Sequence, residues 1–523
     1  MPLMKHIYLP LILIFNAFLF SSETVFERND IENIAARDIY DILSKVPTLK
    51  GTSYGIIGQP VYFYGTGKSS AETALYIDDV FYGRTLTDLS FISVDMIEKI
   101  IVKDVSSECS GSEIHIYTRN YDPSIPVSEV RYKDAFFNYR DLSVNIAQTV
   151  IPDLTISVFA QVNDYRDNRD YKDDFIYPYL KQNYSLKLRM PKTLSFDPVL
   201  DISYMEEKKY LLSADSSLFR PEILRSAFYL DREFSERIRS RSGVTFISEN
   251  DIRRYYDTDI YSELALSDKL YILKGKTGLS SGGLGSTAGY AKLSFKAEWV
   301  IDTDLRGFFR YSDASGTLFS SHVFLEKDLK LIKLSSKSGY FYEKPDEVSD
   351  FFENSLTAGR DFGINNIGFN LRTGIDLVSK RERKYYRAGF TAGNNSMLQF
   401  KSDIIVSDCS DKTGDIKNNL ISSLTFEDRY FNEKLKVNAA LYHGYSEYFI
   451  RDNKEIMNNL SFNLRVRITD FEFFYGSDNF LKDHYDTSGL EFDLNEHYIY
   501  STIENFDMRT HDEIWGVRWI FFK

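Results

Sequence analysis

From about residue 128 to the C-terminus, the chain alternates between apolar and polar residues in one segment after another. One segment places Leu142, Val144 and Ile146 at every second position, with Ser143 and Asn145 between them. Because successive side chains of a β-strand point to opposite faces, a period of two predicts strands with one apolar and one polar face. Arginine and lysine belong to the polar set, and they are costly against lipid but stable in a water-filled lumen. The pattern therefore predicts a membrane all-β fold, an antiparallel transmembrane β-barrel.

The length of the alternating region, residues 128–523, sets the size of this barrel. About 20 to 23 alternating segments are recognisable, and a spanning strand takes about 9–11 residues. Since single-chain bacterial barrels have an even number of strands, we predict about 22 strands with short connections. The longer connections are predicted at 164–174, 208–220, 275–289, 343–352 and 445–459.

The first 22 residues have the pattern of an export signal. A short polar start with Lys5 and His6 precedes an apolar run from Ile7 to Phe20, interrupted only by Asn16. A run of this length suits a signal peptide and is short for a membrane-spanning helix. We predict a signal peptide at residues 1–22, and an uncleaved N-terminal helix is the alternative.

Composition fits a membrane barrel and disfavours other classes. Mean hydropathy is −0.31 and 27% of residues are charged, yet 15% are aromatic. Half of the residues in a barrel strand face water, and aromatic rings collect at the membrane interfaces. The net charge of −13 argues against nucleic acid as a partner. Cys109 and Cys409 lie far apart in the sequence and are interpreted as free thiols, with a disulfide as the alternative.

Residues 23–122 lack the regular alternation and predict a small N-terminal α+β domain. Asp30 and Asp38 are placed to cap two short helices, and Pro47 ends the second. The stretch 123–127, which contains two prolines, is predicted to be a linker to the barrel at 128–523. Short β-rich runs lie at 61–64, 74–77, 99–102 and 114–118.

Five short motifs in this domain resemble, in order and spacing, the plug domain of TonB-dependent outer-membrane receptors. They are the helix Asp38 to Leu43 followed by Pro47, the pair Tyr64-Gly65, the turn Ile77-Asp78-Asp79, the strand Ile97-Glu98-Lys99-Ile100, and the ending Tyr117-Thr118-Arg119. Each motif alone is weak, and their order makes the resemblance fairly specific. The resemblance implies an N-terminal plug that closes a barrel whose lumen is too wide to stay open.

The domain also departs from the family's pattern. Three family glycines and one strand arginine are replaced, the arginine by Tyr64. Aspartate tolerates a left-handed backbone better than most residues, so Asp79 and Asp104 are expected to keep their turns tight. Loss of the arginine removes a polar anchor expected between the plug and the barrel wall.

The resemblance implies a receptor in the outer membrane of a Gram-negative-type bacterium that takes up a scarce small solute. Its implied partners are outer-membrane lipid, the barrel-assembly machinery, which would read the aromatic C-terminal strand, and TonB. The family's energy-coupling box precedes the plug, and the segment Glu23-Thr24-Val25-Phe26 is a possible box. The same residues are predicted to form the first plug strand, so weak or absent coupling to TonB is expected.

Other interpretations stay open from the sequence. A passive porin-like channel with a vestigial plug is favoured by the doubtful coupling box, and an outer-membrane surface-binding scaffold is a third possibility. A water-soluble propeller is disfavoured because no fixed repeat of about 40–50 residues is evident. No cofactor, catalytic residue or metal site is predicted, so the chain is not expected to be an enzyme. Gly275-Lys276-Thr277 lacks the first glycine of a phosphate-binding loop, and the acidic run 164–170 lacks the glycine of a calcium loop.

Overall fold

The structure is a computed structural model. The residues that it describes are 23–53, 61–65, 73–84, 89, 92–103, 112–121, 125–135, 139–151, 154–165, 179–190, 196–210, 218–219, 222–235, 237–250, 255–267, 271–282, 287–297, 302–312, 316–328, 332–342, 348–361, 365–378, 381–394, 397–407, 416–450, 453–478 and 512–522. The predicted signal peptide, Asp104, Cys109 and Cys409 lie outside the described residues.

The N-terminal domain combines short strands with two short helices. Its elements are β1 (Glu23–Glu27), α1 (Arg28–Asn33), α2 (Ile39–Leu43), β2 (Leu49–Ser53), β3 (Val61–Gly65), β4 (Thr73–Ile77), β5 (Val80–Arg84), a 3-10 turn (Val94–Met96), β6 (Ile97–Lys103) and β7 (Ser112–Thr118). Five strands form one sheet in the order β1-β6-β7-β4-β5, and β2 pairs with β3 separately. Only β4 and β7 run parallel in the five-stranded sheet. The predicted α+β domain is confirmed.

Local capping explains where the two helices begin. Asp38 precedes α2, and its carboxylate accepts the N–H of Tyr40 at 2.8 Å, as predicted. The prediction that Asp30 caps α1 is wrong, because Glu27 is the N-cap and Asp30 lies inside the first turn. The Asp30 carboxylate instead accepts the N–H of Glu27 at 3.0 Å, which satisfies a backbone donor that the helix leaves unpaired.

The core of this domain lies between α2 and the five-stranded sheet. Leu43 at the end of α2, Ile100 in β6 and Ile116 in β7 are all fully buried in one apolar cluster. The cluster extends to Ile247 of the barrel wall, and Tyr442 packs against it. The domain therefore has a core of its own, and a second, smaller cluster joins its Ala35 to Ala135, Tyr139, Phe474 and Ile514 of the wall.

The barrel is formed by the remaining strands. They are β8 (Val127–Ala135), β9 (Tyr139–Ile151), β10 (Leu154–Tyr165), β11 (Tyr179–Arg189), β12 (Phe196–Tyr210), β13 (Leu218–Phe219), β14 (Glu222–Ser235), β15 (Ile238–Asn250), β16 (Tyr255–Ser267), β17 (Tyr271–Gly282), β18 (Thr287–Ala297), β19 (Asp302–Ser312), β20 (Gly316–Asp328), β21 (Ile332–Tyr342), β22 (Val348–Asp361), β23 (Asn365–Val378), β24 (Arg381–Asn394), β25 (Leu398–Ser407), β26 (Ile416–Tyr430), β27 (Leu435–Ile450), β28 (Asn453–Ile468), β29 (Phe471–Asp478) and β30 (Asp512–Phe522).

The sheet closes on itself because the last strand, β30, pairs antiparallel with the first, β8. The two-residue β13 only extends a hairpin of β12, and β12 pairs directly with β14. Within the described residues, the ring therefore contains 22 spanning strands, which confirms the predicted architecture. No helix among the described residues is long and apolar enough to cross a membrane.

Side chains alternate between the outer surface and the lumen as predicted. Leu142 and Ile146 on β9 are 47% and 46% exposed, whereas Ser143 between them is buried. In the last strand, Trp519 is exposed on the outside and Arg518 is buried inside. The outward-facing side chains are apolar, as contact with lipid requires, and the buried polar side chains face the N-terminal domain.

Two predicted loops are strands instead. Most of 275–289 belongs to β17 and β18, and most of 445–459 belongs to β27 and β28, which continue to Ile450 and from Asn453. The Gly-, Ser- and Asn-rich composition of these stretches was misleading because lumen-facing positions of a barrel are themselves polar. The other three predicted loops lie partly outside the described residues.

The barrel has two distinguishable ends. At one end β8 begins and β30 ends, and we call it the terminal end. The longest connection in the ring, residues 479–511, joins β29 to β30 at the opposite end. Because outer-membrane barrels have short periplasmic turns and longer external loops, the terminal end is assigned to the periplasm.

Candidate functional site at the plug–barrel interface

The N-terminal domain lies inside the lumen and contacts strands on several sides of the wall. The contacts include Asp95 to Arg131 on β8, Asp78 to Arg225 on β14, the carbonyl of Asp79 to Lys276 on β17, the carbonyl of Pro47 to Asn419 on β26, and Glu32 to Arg465 on β28 and Arg518 on β30. These pairs are mostly carboxylates of the domain and cations of the wall. A domain held in this way on several sides occupies the lumen as a plug.

The turn between β4 and β5 places one of these carboxylates. Asp78 and Asp79 have φ values of 51° and 65°, a left-handed conformation that usually favours glycine. Asp78 is held there because its carboxylate accepts the N–H of Thr118 at 2.8 Å and its hydroxyl at 2.7 Å. Asp79 accepts the Tyr117 hydroxyl at 2.7 Å. The expectation that aspartate keeps this turn tight at position 79 is confirmed.

Asp78 then faces two cations of the barrel wall. The Nζ of Lys187 lies 4.0 Å from its carboxylate and also donates to the Thr118 hydroxyl at 3.1 Å. A guanidinium nitrogen of Arg225 lies 3.9 Å from the same carboxylate and donates to the carbonyl of Ile77 at 3.4 Å. Burial alone raises the pKa of Asp78, but these charges and the Thr118 hydrogen bonds outweigh it and hold the pKa below its usual value.

Asp95 forms a second contact of this kind and is almost completely buried. Its carboxylate pairs with Arg131, lies 3.4 Å from the Nζ of Lys133, and accepts the Ser143 hydroxyl at 2.7 Å. Lys133 also reaches Asp141 of the wall at 3.1 Å. Burial raises the pKa of Asp95, and the two wall cations together lower it well below its usual value. The carboxylate is therefore ionised at neutral pH and neutralises charge in the wall.

Glu32 of α1 is at the centre of a third cluster near the terminal end. Arg28 pairs with it from within the same helix at 2.8 Å, and Arg465 and Arg518 pair with it from the wall. The wall arginines are shared with wall carboxylates, since Glu472 lies 2.6 Å from Arg465. Burial raises the pKa of Glu32, and the surrounding arginines lower it well below its usual value.

Arg119, the last residue of the predicted plug motif, ties the domain to the first barrel strand. Its guanidinium donates to Glu129 of β8 at 3.1 Å, and Arg518 of β30 lies 3.1 Å from the same carboxylate. The seam at which β8 and β30 close the barrel is thus linked to the plug. A cation of the plug meets a carboxylate of the wall here, the reverse of the other contacts.

The remaining residues of the predicted plug motifs lie in the core, in a strand or at the surface of the plug. Leu43 lies in the core, and the Pro47 carbonyl accepts the Asn419 amide at 2.9 Å. Tyr64 and Gly65 end β3, opposite Lys50 and Leu49 of β2; the Tyr64 side chain lies outside the described residues. Glu98 on β6 is exposed.

No arginine or lysine of the barrel wall was predicted from the sequence to be a site residue. Arg131, Arg225, Arg465 and Arg518 anchor the plug from the side of the wall. The available signal was their occurrence at lumen-facing positions of strands, where a charge needs either water or a partner.

The possible coupling segment forms β1, at the edge of the plug sheet. Glu23 to Glu27 pair in register with Lys103 to Lys99 of β6, so one edge of the strand is used within the plug. A cavity of about 720 Å³ lies between β1, α1 and the wall strands β24–β27. Thr24, Val25 and Phe26 all line it. The prediction that these residues form the first plug strand is confirmed.

Among the residues that the structure describes, no group of three or more His, Cys, Asp or Glu side chains is placed to hold a metal ion.

Comparison with known proteins agrees with this geometry. Residues 19–112 match the family model of the TonB-dependent receptor plug domain. The siderophore receptor PirA from Acinetobacter baumannii superposes with a TM-score of 0.73 at 11% identity, covering 95% of this chain and 98% of that one. A mutant of the ferric enterobactin receptor PfeA from Pseudomonas aeruginosa gives a TM-score of 0.74 at 9% identity, with coverage of 95% and 98%.

A third similar structure is the FrpB iron transporter from Neisseria meningitidis. It has a TM-score of 0.71 at 9% identity and covers 96% of this chain and 99% of that one. No curated protein matches the sequence. At these identities the structures establish the fold.

Proposed function

We infer that this chain, a plugged β-barrel of the TonB-dependent receptor type, is an outer-membrane receptor that takes up a scarce solute through its barrel. The observation that carries the inference is a family-matched plug domain seated by ion pairs inside a closed ring of 22 strands. A barrel of this size is too wide to serve as a barrier unless something fills it. Selective passage then requires that the plug moves or opens.

The chemistry of the contacts supports a plug that is held firmly but can be released. Among the described residues, Ile247 and Tyr442 of the wall join the plug's main apolar core, and Ala35 of the plug packs in a small apolar cluster with the wall. The other contacts described above are ion pairs and hydrogen bonds, whose net free energy is small when water replaces the partner and large when one partner is left buried alone. A plug held in this way stays in place while its contacts exclude water. It can separate from the wall as a unit when water enters and hydrates the charged groups.

Enzymatic activity is not part of the proposal, since the family that the plug matches consists of receptors and transporters. The names of the similar structures suggest siderophore-bound iron as one solute hypothesis. We also propose that the barrel-assembly machinery recognises the C-terminal strand β30. TonB is the energy-coupling partner that β1 would engage.

A passive channel with a vestigial plug is the second candidate. The observation that favours it is the pairing of all five β1 residues with β6, which leaves one strand edge for a coupling protein. Strand addition by TonB then requires either release of β1 from β6 or entry of the partner strand into the adjacent cavity. Weak coupling remains our prediction.

Deletion of residues 23–122 tests whether the plug occludes the barrel. The shortened chain should still assemble, because β8 to β30 hydrogen-bond to each other around the whole ring. In planar bilayers it should conduct ions far better than the intact protein. Assembly is checked by outer-membrane fractionation and by faster gel migration of the unboiled sample. Equal conductance of the two proteins would contradict occlusion and the receptor function with it.

A further inference from the structure

A second cavity, of about 350 Å³, separates the plug from the wall strands β16–β19. On the plug side it is lined by β4, β5, β7 and the end of β6. Its described lining contains seven lysines and arginines against five aspartates and glutamates. This excess of positive charge occurs in a chain whose net charge is −13, so it is a local feature of one side of the lumen.

The wall cations of this cavity form a ladder. They are Lys274 and Lys276 on β17, Lys292 and Lys296 on β18, and Arg306 and Arg310 on β19. They occupy alternate positions of neighbouring strands, and the residues between them, such as Leu293, Leu305 and Phe309, are exposed on the outer surface. Two residues along a strand correspond to about 7 Å, so positive charges recur at this interval along the cavity.

The strand register brings like charges together in the wall, which would destabilise the sheet if the plug were absent. Lys276 lies directly opposite Lys292 of β18 and, on its other side, Glu263 of β16. Ser294 lies between Lys274 and Arg306 in another cross-strand row. Like charges directly opposite each other destabilise a sheet. Both opposed lysines reach toward the plug, where Lys276 donates to the Asp79 carbonyl at 3.3 Å and Lys292 to the Tyr76 hydroxyl at 3.5 Å. Neutral oxygens accept these two hydrogen bonds.

Carboxylates of the cavity compensate for part of this charge. Asp304 lies 2.8 Å from Arg306 and directly opposite Lys296, and Glu113 of the plug lies 3.4 Å from Lys103. Lys274 and Lys296, nearest the terminal end, are exposed although they point into the barrel. Water therefore reaches the part of the ladder nearest the terminal end, where a solute that passes between the plug and the wall would leave the cavity.

We propose that this cavity binds a small polyanion, a solute with two or more carboxylate or phosphate groups about 7 Å apart that bridges successive rungs of the ladder. The proposal rests on the proposed receptor function and deepens it, because it names the chemical class of the solute and the side of the plug along which it passes. Among the described residues that line this cavity, lysines and arginines outnumber aspartates and glutamates.

Tripolyphosphate is the probe, measured by calorimetric titration of the full-length protein in lipid nanodiscs. The test variant is Lys274→Glu, and the matched control is Lys401→Glu, an exposed lysine that lines the cavity beside β1 instead. Reversing one charge within about 7 Å of the anion should weaken binding at least about tenfold in the test variant. The control should change affinity by less than about twofold, because its charge lies outside the ladder and is screened. Lys274→Arg should bind like the wild type.

Several results would overturn the proposal. They are absence of saturable binding to the wild type, equal weakening by the two reversals, or loss of binding in Lys274→Arg. If Lys274→Glu fails to show the gel shift of a folded barrel, Lys274→Gln takes its place with an expected loss of about threefold. The receptor function is tested independently by the plug deletion. A barrel that opens on deletion but binds no polyanion would refute only the ladder site.

Discussion

Asp95 shows how a single residue holds the plug in place. Its carboxylate lies between Arg131 and Lys133 of β8, and all three side chains are buried. In such a site the pair itself adds little net stability, because both ions lost their hydration. Removal of one partner is costly, since the remaining charge stays buried without compensation.

Asp95→Asn should therefore loosen the plug more than its small change in shape suggests. The amide keeps a hydrogen-bonding group but leaves Arg131 facing no charge from the plug. We expect the free energy that holds the plug in the barrel to fall by about 3–5 kcal/mol. Hydrogen exchange of the β6 amides in the intact protein measures it, and faster exchange with an intact barrel is the expected result.

Glu98→Gln is the matched control for this change. Glu98 is also a carboxylate of the plug. It lies near the start of β6, three residues after Asp95, and it is exposed. Its substitution should leave β6 exchange within error of the wild type, as is usual for exposed charges. Equal effects of the two substitutions would show that the Asp95 contact does not anchor the plug.

β1 is the element whose role decides between a driven receptor and a passive channel. It forms one edge of the plug sheet, and its other side borders the cavity of about 720 Å³. A coupling protein that adds a strand needs free backbone donors and acceptors there. Because Val25 is 40% exposed and lies in the middle of the strand, a change at this position probes that edge.

Val25→Pro tests the coupling role of β1. Proline removes one backbone N–H and fixes φ, so it weakens any strand addition at this position. With weak coupling, uptake of solute by cells should change little, and the unboiled gel mobility should stay that of a folded barrel. Val25→Ala is the control, since it keeps the backbone donor. Uptake abolished by the proline alone, with the barrel intact, would identify β1 as a working coupling box.

At the level of elements, local patterns were sufficient for much of the fold. Alternation predicted the strands and their outward faces, and Asp38 was recognisable as a helix cap because its partner, Tyr40, is two residues away. The site was not predictable in this way. Arg465 meets Glu32 across 433 positions, and Arg225 reaches Ile77 across 148. Which wall cation faces which carboxylate follows from strand register and plug orientation, and no local pattern encodes either.

At the scale of the whole molecule, cations of the barrel wall face buried carboxylates of the plug. Asp78, Asp95, Glu32 and Glu113 all lie in the plug, and the neighbouring cations lower the pKa of each below its usual value despite burial. For Glu113, Lys292 of the wall is the largest of these opposing charges. A group with a lowered pKa in the folded state stabilises that state most above its ordinary pKa, and loses this contribution as pH falls through the lowered value.

Plug seating should therefore be independent of pH from about 5 to 8 and should weaken only well below about pH 4, the ordinary range of these carboxyl groups. Protonation there removes the negative charge that neutralises the wall, so several buried cations lose their partners at once. Conductance of the intact protein in planar bilayers should be low and flat over the neutral range and rise toward that of the plug-deleted barrel only well below about pH 4. The deleted barrel, measured over the same range, controls for titration of the wall itself. A rise of conductance between pH 7 and 5 in the intact protein alone would mean that groups with ordinary or raised pKa values hold the plug, and would refute this electrostatic account of its seating.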